Sequence, residues 1–407
     1  LLNKKELIGG VLLVSGTTIG AAMLALPTIT GLAGFFPSII LFVFYWMLLT
    51  YSAFLMLEAT LFMGGKTNII SMARKTLGFP GEAASWTFYL FLLYALTTAY
   101  LTGSSQIMQD MFQAVFGLDL PHYAGVLPLL LVFGYFVYHG TKAVDFVNRL
   151  LMTGLAIAYF LMIVTLFPEV KTDNLKHTAW KYLLISNSVI ATSFGFHIII
   201  PTLSCYLNRD VKKLTLSLLI GSFIPLIIYI LWVFVSLGII PIEGAFGIKE
   251  GYLEGENGVH LLTGILGNNW LSMIARFFSF FAIITSFLGV SLSLQDFLAD
   301  GFKVKKTPSG KSVLFLLTFL PPLIIMWLNP RAFLTALEYA GAFGVMTLLV
   351  LMPALMVYKG RYIDHYSGEY QAPGGKLSLI LVMIIAIGLI SLEVITKLGI
   401  INLATLI

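Results

Sequence analysis

Between Glu6 and Glu58 the chain runs for 51 residues without one Asp, Glu, Lys or Arg. A stretch of that kind cannot lie at an aqueous surface. Because about 20 apolar residues cross the hydrocarbon core of a bilayer, the run holds two helical crossings. They join near Thr30 to Pro37, where Gly31, Gly34 and Pro37 break the helix. Further charge-free runs lie between Glu82 and Asp110, Asp119 and Lys142, Arg149 and Glu169, Lys181 and Arg209, and Lys213 and Glu243. Four more crossings are expected at roughly 270–298, containing Arg276; 312–328; 333–358, containing Glu338; and 377–399, containing Glu393, for eleven in all. The chain is 58% apolar and only 11% charged, where soluble proteins carry about a quarter charged residues, so an ordinary soluble enzyme is excluded. A β-barrel would need alternating segments of about ten residues, and these runs are apolar all round. The expected class is an all-α polytopic membrane protein.

The basic residues orient it. With the N-terminus in the cytoplasm, 17 Lys and Arg, Lys306 among them, fall in cytoplasmic segments. Six fall on the opposite side, and Arg276 lies within a span. That imbalance is a positive-inside pattern, so the formal charge of +5 reports topology and not a nucleic-acid partner. The first span has no short apolar core followed by a cleavage site and reads as an uncleaved helix. A single cysteine, Cys205, excludes an internal disulfide.

Two spans are interrupted by small and polar residues. Span 1 reads Ser15-Gly16-Thr17-Thr18-Ile19-Gly20-Ala21, with Pro27 beyond, and span 6 reads Thr192-Ser193-Phe194-Gly195-Phe196-His197, with Pro201 beyond. They stand five spans apart, so they enter the membrane from opposite sides. This is the pattern of an inverted repeat: spans 1–5 over 7–167, spans 6–10 over 182–358, and span 11 over 377–399 appended to a single transmembrane domain. Broken helices of this sort bring free N–H and C=O groups to the bilayer midplane, where a charged ligand can meet them. Either break alone also suits close helix packing, as in Gly16-x-x-x-Gly20.

The segments SGTTIGAAMLALP (15–27), TSFGFHIIIPTLSCYLNRD (192–210) and ITSFLGVSLSLQDFLADGF (284–302) resemble the bacterial hydroxy/aromatic amino acid permeases, in particular the tyrosine- and tryptophan-specific transporters of the amino acid–polyamine–organocation superfamily. The resemblance implies a leucine-transporter-like fold. It also implies secondary active import of an aromatic amino acid across the inner membrane, usually coupled to protons.

A zwitterionic substrate needs donors for its carboxylate, acceptors for its ammonium and an apolar slot. The first break offers amides around Ile19 to Ala22 beside the Thr17 and Thr18 hydroxyls, with Gly20 and Ala21 in the break and Gly20 leaving room for the ligand backbone. The second offers carbonyls from Ser193 and its neighbours, space at Gly195, and Phe194 or Phe196 to cover a ring. Tyr94 and Thr98 of span 3 are expected to line the pocket, although such residues also serve as interhelical hydrogen-bond partners. By the resemblance, Thr285 and Ser286 with the carbonyls of Gly16, Ile19 and Ala282 match a sodium site of related symporters, so H+ and Na+ both remain open as the coupling ion. Proton coupling requires a titratable group inside the membrane. His197 is the foremost candidate, and Glu58 at the cytoplasmic end of span 2 serves equally as a structural or inner-gate residue. Arg276 and Glu338 are expected to pair as an outer gate, and Glu393 to reach the interface.

A membrane-embedded enzyme is disfavoured, since no HExxH, GxSxG or GxxxxGK pattern occurs, and no metal or cofactor is expected. A channel is disfavoured because the chain carries its own inverted repeat. A serine- or threonine-selective permease is the near alternative, with the phenylalanines of span 6 tilting toward an aromatic ligand, tyrosine first. No obligate protein partner is implied beyond the bilayer.

Overall fold

The computed structural model describes residues 4–267, 270–305, 307–329, 331–366 and 368–400; Lys306 lies outside them. Among the described residues there is no strand. The first half comprises α1 (Lys4–Thr18), α2 (Leu26–Gly31), α3 (Phe35–Leu61), α4 (Ile69–Phe116), α5 (His122–Gly125), α6 (Leu127–His139) and α7 (Thr141–Leu166). After a loop come α8 (Leu183–Ser193), α9 (Ile200–Tyr206), α10 (Val211–Ile239), α11 (Ile248–Glu254) and α12 (Gly258–Leu266). The chain ends in α13 (Trp270–Gly301), α14 (Pro308–Leu328), α15 (Ala332–Tyr339), α16 (Met352–Tyr362) and α17 (Gly375–Lys397).

Nine helices among the described residues are long and apolar enough to cross a bilayer, or ten when α1 and the 21–31 segment, bent by 46°, count as one. The apolar helix over Tyr123–His139 stands where the fourth crossing was expected. At about 1.5 Å per residue it is short for a core of about 30 Å. The third helix is longer than its charge-free core: α4 takes in both Glu82 and Asp110. Asn68 starts it by accepting from Ser71 N at 2.9 Å, and Arg74 pairs with Glu82 at 3.0 Å within the same helix.

The helix over Ala332–Tyr362, where the tenth crossing was expected, is the most enclosed of these. In its most apolar stretch 83% of residues are buried, against 17% in α17 and 28% in α7 and α14, so Ala332–Tyr362 is central and those three are peripheral. From Ala340 to Leu351 it winds as a π-helix, a wide form that recurs at functional sites. Gly341 explains part of this packing. A Cβ there would fall 1.7 Å from Ser188 O and 2.6 Å from Thr192 Oγ1, so only glycine lets α8 lie against this turn.

Candidate functional site

Span 1 breaks where expected. Gly20 is fully extended (φ −155°, ψ −166°), and the chain resumes as a tight turn over Ala21–Ala25 before α2. Ile19 N still reaches back to Ser15 O (2.9 Å) and Met23 N to Gly20 O (3.1 Å). Ala21 N instead donates to Ser286 Oγ of α13 at 2.8 Å. A Cβ at Gly20 would sit 2.6 Å from that same Oγ and would force the Ser286 hydroxyl away from Ala21 N. Gly16 faces α7, with Met152 Cε 3.3 Å from where its Cβ would be.

Span 6 breaks after α8. Gly195 N bonds Thr192 O (3.2 Å), and the helix restarts through a turn at His197–Ile199. Phe194 and Phe196 are both buried. Phe194 meets Phe42 and Tyr229 edge-on, at centroid separations of 6.4 and 5.2 Å. His197 is wholly buried beside Phe196, and the backbone of Leu49 lies alongside it, yet neither ring nitrogen has a partner of ordinary hydrogen-bond geometry.

Most of the expected hydroxyls serve their own helices. Thr17 and Thr18 donate to Leu13 O and Val14 O (both 2.7 Å), Ser193 to Val189 O (3.0 Å), and Thr98 to Tyr94 O (2.9 Å). Thr285 shares its proton between Phe281 O (2.8 Å) and Ala282 O (3.1 Å). Such back-bonds are the default for hydroxyls in apolar helices.

The two breaks converge on one residue. Tyr229 of α10, wholly buried, places its hydroxyl 2.7 Å from Thr18 O and 2.8 Å from Ser193 O. Three residues on, Trp232 Nε1 donates to Met23 O at 2.9 Å. Two half-helix ends from opposite halves of the chain thus meet at the carbonyls where each helix stops. The geometry agrees with a comparison over nearly the whole sequence: residues 3–393 match the tryptophan/tyrosine permease family. The chain belongs to that family. It is 34% identical over 388 residues to the tyrosine-specific transport system 2 of Haemophilus influenzae, covering 94% of this chain and 95% of that one. It is 35% identical over 395 residues to tyrosine-specific transport system 1 of the same organism, with coverage of 96% and 97%. Against the tryptophan-specific transport protein of H. influenzae it is 33% identical over 406 residues, with coverage of 97% and 96%.

For a permease, the missed residues matter as much as those found. Tyr229 and Trp232 lie in what reads as an uninterrupted apolar span. Their signal was two aromatics with polar handles, one turn apart, in mid-helix. Tyr100 was also missed: its hydroxyl approaches Ser286 from α4. Tyr94, by contrast, turns the other way and donates to Leu317 O of α14 at 2.8 Å, away from the breaks. The six positions between them turn an α-helix by about 240°, so both tyrosines cannot face one pocket.

The charged residues also regroup. Glu338 binds Lys397 Nζ at 2.8 Å, so the expected Arg276–Glu338 gate is replaced by a pair between α15 and α17. Arg276 lies on α13 about two and a half turns before Thr285. Glu393 accepts from Ser188 Oγ (2.7 Å), half a helix from the second break. Glu58 is ion-paired. Buried with Arg361, it takes Nε at 2.6 Å and contacts Nη2, and its Oε2 accepts from Ala372 N at 2.7 Å.

On the face opposite the N-terminus, α12 is latched to the end of α4. His260 Nδ1 lies 3.0 Å from Asp110 Oδ2 and Nε2 3.1 Å from Glu256 Oε1, while Asn257 bonds Gln106 at 3.1 Å. Burial pulls the imidazole pKa down, but the bonds to Asp110 and Glu256 outweigh it and raise it to about 10. A folded-state value above the ordinary 6.5 means the latch contributes fully below about pH 6.5 and is lost as pH rises toward 10. His260→Gln should therefore lower the thermal midpoint at pH 6 and leave it little changed near pH 10. An equal loss at both pH values would count against the latch.

Proposed function

We propose that this permease is a secondary active symporter that imports an aromatic amino acid across the inner membrane by alternating access. Tyrosine is the favoured substrate, with tryptophan and phenylalanine accepted. The observation that carries the reading is Tyr229. One O–H is shared between two carbonyls, Thr18 O and Ser193 O, each with capacity for another donor. A substrate ammonium brings three N–H groups and satisfies both. No hydrogen bond leaves the Gly20 or Ala22 N–H among the described residues, and these donors lie on the other side of the first break, where a carboxylate would sit. Phe194, edge-on to Tyr229, supplies an aromatic wall. The names of the relatives, tyrosine- and tryptophan-specific transport proteins, support the substrate class.

The paired breaks support a repeat of spans 1–5 (7–167) and 6–10 (182–358) with span 11 (377–399) appended, the Tyr123–His139 helix serving as the fourth of eleven spans. With the N-terminus cytoplasmic by the distribution of basic residues, the outer side of the first break is sealed: every residue from Ala21 to Phe35 is buried. Thr17 below the break, and Gly289 and Ser293 on α13, are exposed, which supports an inward-facing state.

Protons are proposed as the coupling ion on the strength of the resemblance, with His197 as the titratable group beside the second break. Sodium is the second reading and rests on one geometric fact, the contact of Ser286 with Ala21 that brings an α13 hydroxyl to the first break. The test is counterflow of labelled Tyr, Trp, Phe and Ser in proteoliposomes, with and without sodium and across a pH step. Aromatic uptake is expected to be accelerated by an inwardly directed proton gradient, acid outside, more than by a sodium step. Exchange of serine alone, or of none, would sink the substrate reading, and a drive by sodium alone would replace the proton. Tyr229→Phe, which removes the shared hydroxyl and leaves two carbonyls under-satisfied, should lower uptake by roughly tenfold or more, the effect of one or two buried hydrogen bonds.

A further inference from the structure

Lys397, the last residue of α17, borders two hollows of opposite character. One is a cavity of about 230 Å³ behind α8, walled by Tyr45, Asn187, Ser188, Glu338 and Glu393 among apolar side chains. The other is a groove of about 420 Å³ between α4, the tenth crossing and α17, lined by Phe88, Phe91, Phe343, Val394 and Tyr339.

The cavity wall holds two carboxylates and one ammonium. Lys397 Nζ is 2.8 Å from Glu338 and 3.6 Å from Glu393, and Glu393 also takes the Ser188 hydroxyl. Tyr252, also on the wall, takes Arg331 Nη2 on its carbonyl (2.9 Å) and the guanidinium over its ring. At membrane depth a carboxylate without its own counter-charge is costly, so the complement of this wall is a second ammonium. The groove bears no charge but Lys397, and Phe91, Val394 and Leu398 on its walls are exposed on the outside of the helix bundle. Its complement is hydrocarbon. A molecule that fills both hollows must carry an ammonium and an apolar chain on either side of a group that can face Lys397.

We propose that these hollows form a binding site for a phospholipid with a primary-amine headgroup, phosphatidylethanolamine. Its ammonium lies between Glu338 and Glu393, its phosphate faces Lys397, and an acyl chain lies along Phe88, Phe91 and Phe343. The three-hydrogen ammonium matters because a quaternary choline has no N–H to donate and a glycerol headgroup has no cation. Since Glu393 holds Ser188, the lipid ties the outer half of broken span 6 to span 11 and steadies it against the moving parts of the transporter.

The purified full chain in detergent is titrated with dioleoyl phosphatidylethanolamine, phosphatidylcholine or phosphatidylglycerol, and lipid retention is read by native mass spectrometry. Phosphatidylethanolamine should be retained about tenfold over the other two, the factor expected of a hydrogen bond to a charged group. Glu393→Gln should abolish the preference, and Lys397→Gln should weaken retention of all three lipids. If Glu393→Gln folds poorly, Ser188→Ala, which loosens Glu393, should reduce the preference in part. Equal retention of the three lipids, or a preference that survives Glu393→Gln, would overturn the proposal. So would soluble phosphoethanolamine binding as tightly as the lipid, since the groove would then add nothing.

Discussion

Glu58→Ala is expected to cost this protein about 3–5 kcal/mol, the price of stranding one half of a buried ion pair. The side chains of Arg361 and Glu58 are only 4% and 2% exposed, and Arg361 donates to Glu58 and to Ala372 O, so after the substitution the guanidinium loses its only carboxylate and keeps the Ala372 carbonyl and the Tyr362 hydroxyl. A loss of that size is a large fraction of the roughly 5–15 kcal/mol that stabilises a typical domain. The measurement is thermal unfolding in detergent, together with the yield of monodisperse protein. Glu58→Leu combined with Arg361→Leu should recover much of the loss, because removing both charges removes the desolvation penalty too. Recovery will be incomplete, since Ala372 N–H loses its acceptor, at about 1–3 kcal/mol. If the double variant is no better than either single one, the pair is not what holds the chain at Ala372 to α3 and α16.

Gly341→Ala should be nearly as damaging, for a different reason. The new methyl would meet a backbone carbonyl, Ser188 O, at 1.7 Å, and a carbonyl cannot rotate away as a side chain can. The π-helical turn must then separate from α8, which also loosens the bond of Thr192 Oγ1 to Leu337 O (2.9 Å). Overpacking usually costs about 1–3 kcal/mol, and a backbone clash stands at the upper end. Uptake should fall at least as far as stability does, because α8 carries the second break. Gly388→Ala on α17 is the control: nothing lies within 4 Å of the added Cβ, and helix propensity favours alanine there by about 1 kcal/mol. If both variants behaved alike, the close approach would carry no weight.

Much of the candidate site was legible as punctuation. Gly20 and Gly195 stand out because apolar helices have little other reason to hold small and polar residues together at corresponding places, and both positions proved to be at breaks. Their hydroxyl neighbours were less informative. Thr17, Thr18 and Ser193 look like ligands in the sequence, but in an apolar helix a hydroxyl can always be satisfied by the carbonyl a turn earlier, and these are. Tyr94 and Tyr100 differ only in helical phase, and which face points to the breaks depends on how α4 packs against α13 and α14.

What the sequence determined by itself is that the chain is built of apolar helices fit to cross a membrane, and where two of them break. Transfer of a residue from water to hydrocarbon depends on that residue and its immediate neighbours, so charge-free runs and their interruptions can be read locally. Only the tertiary structure decided which polar groups meet. Glu58 and Arg361 are 303 residues apart, Tyr229 and Thr18 are 211 apart, and Ala21 and Ser286 are 265 apart. A buried charge or carbonyl demands a partner but does not specify which one, because that choice is made by the packing of helices distant in the chain.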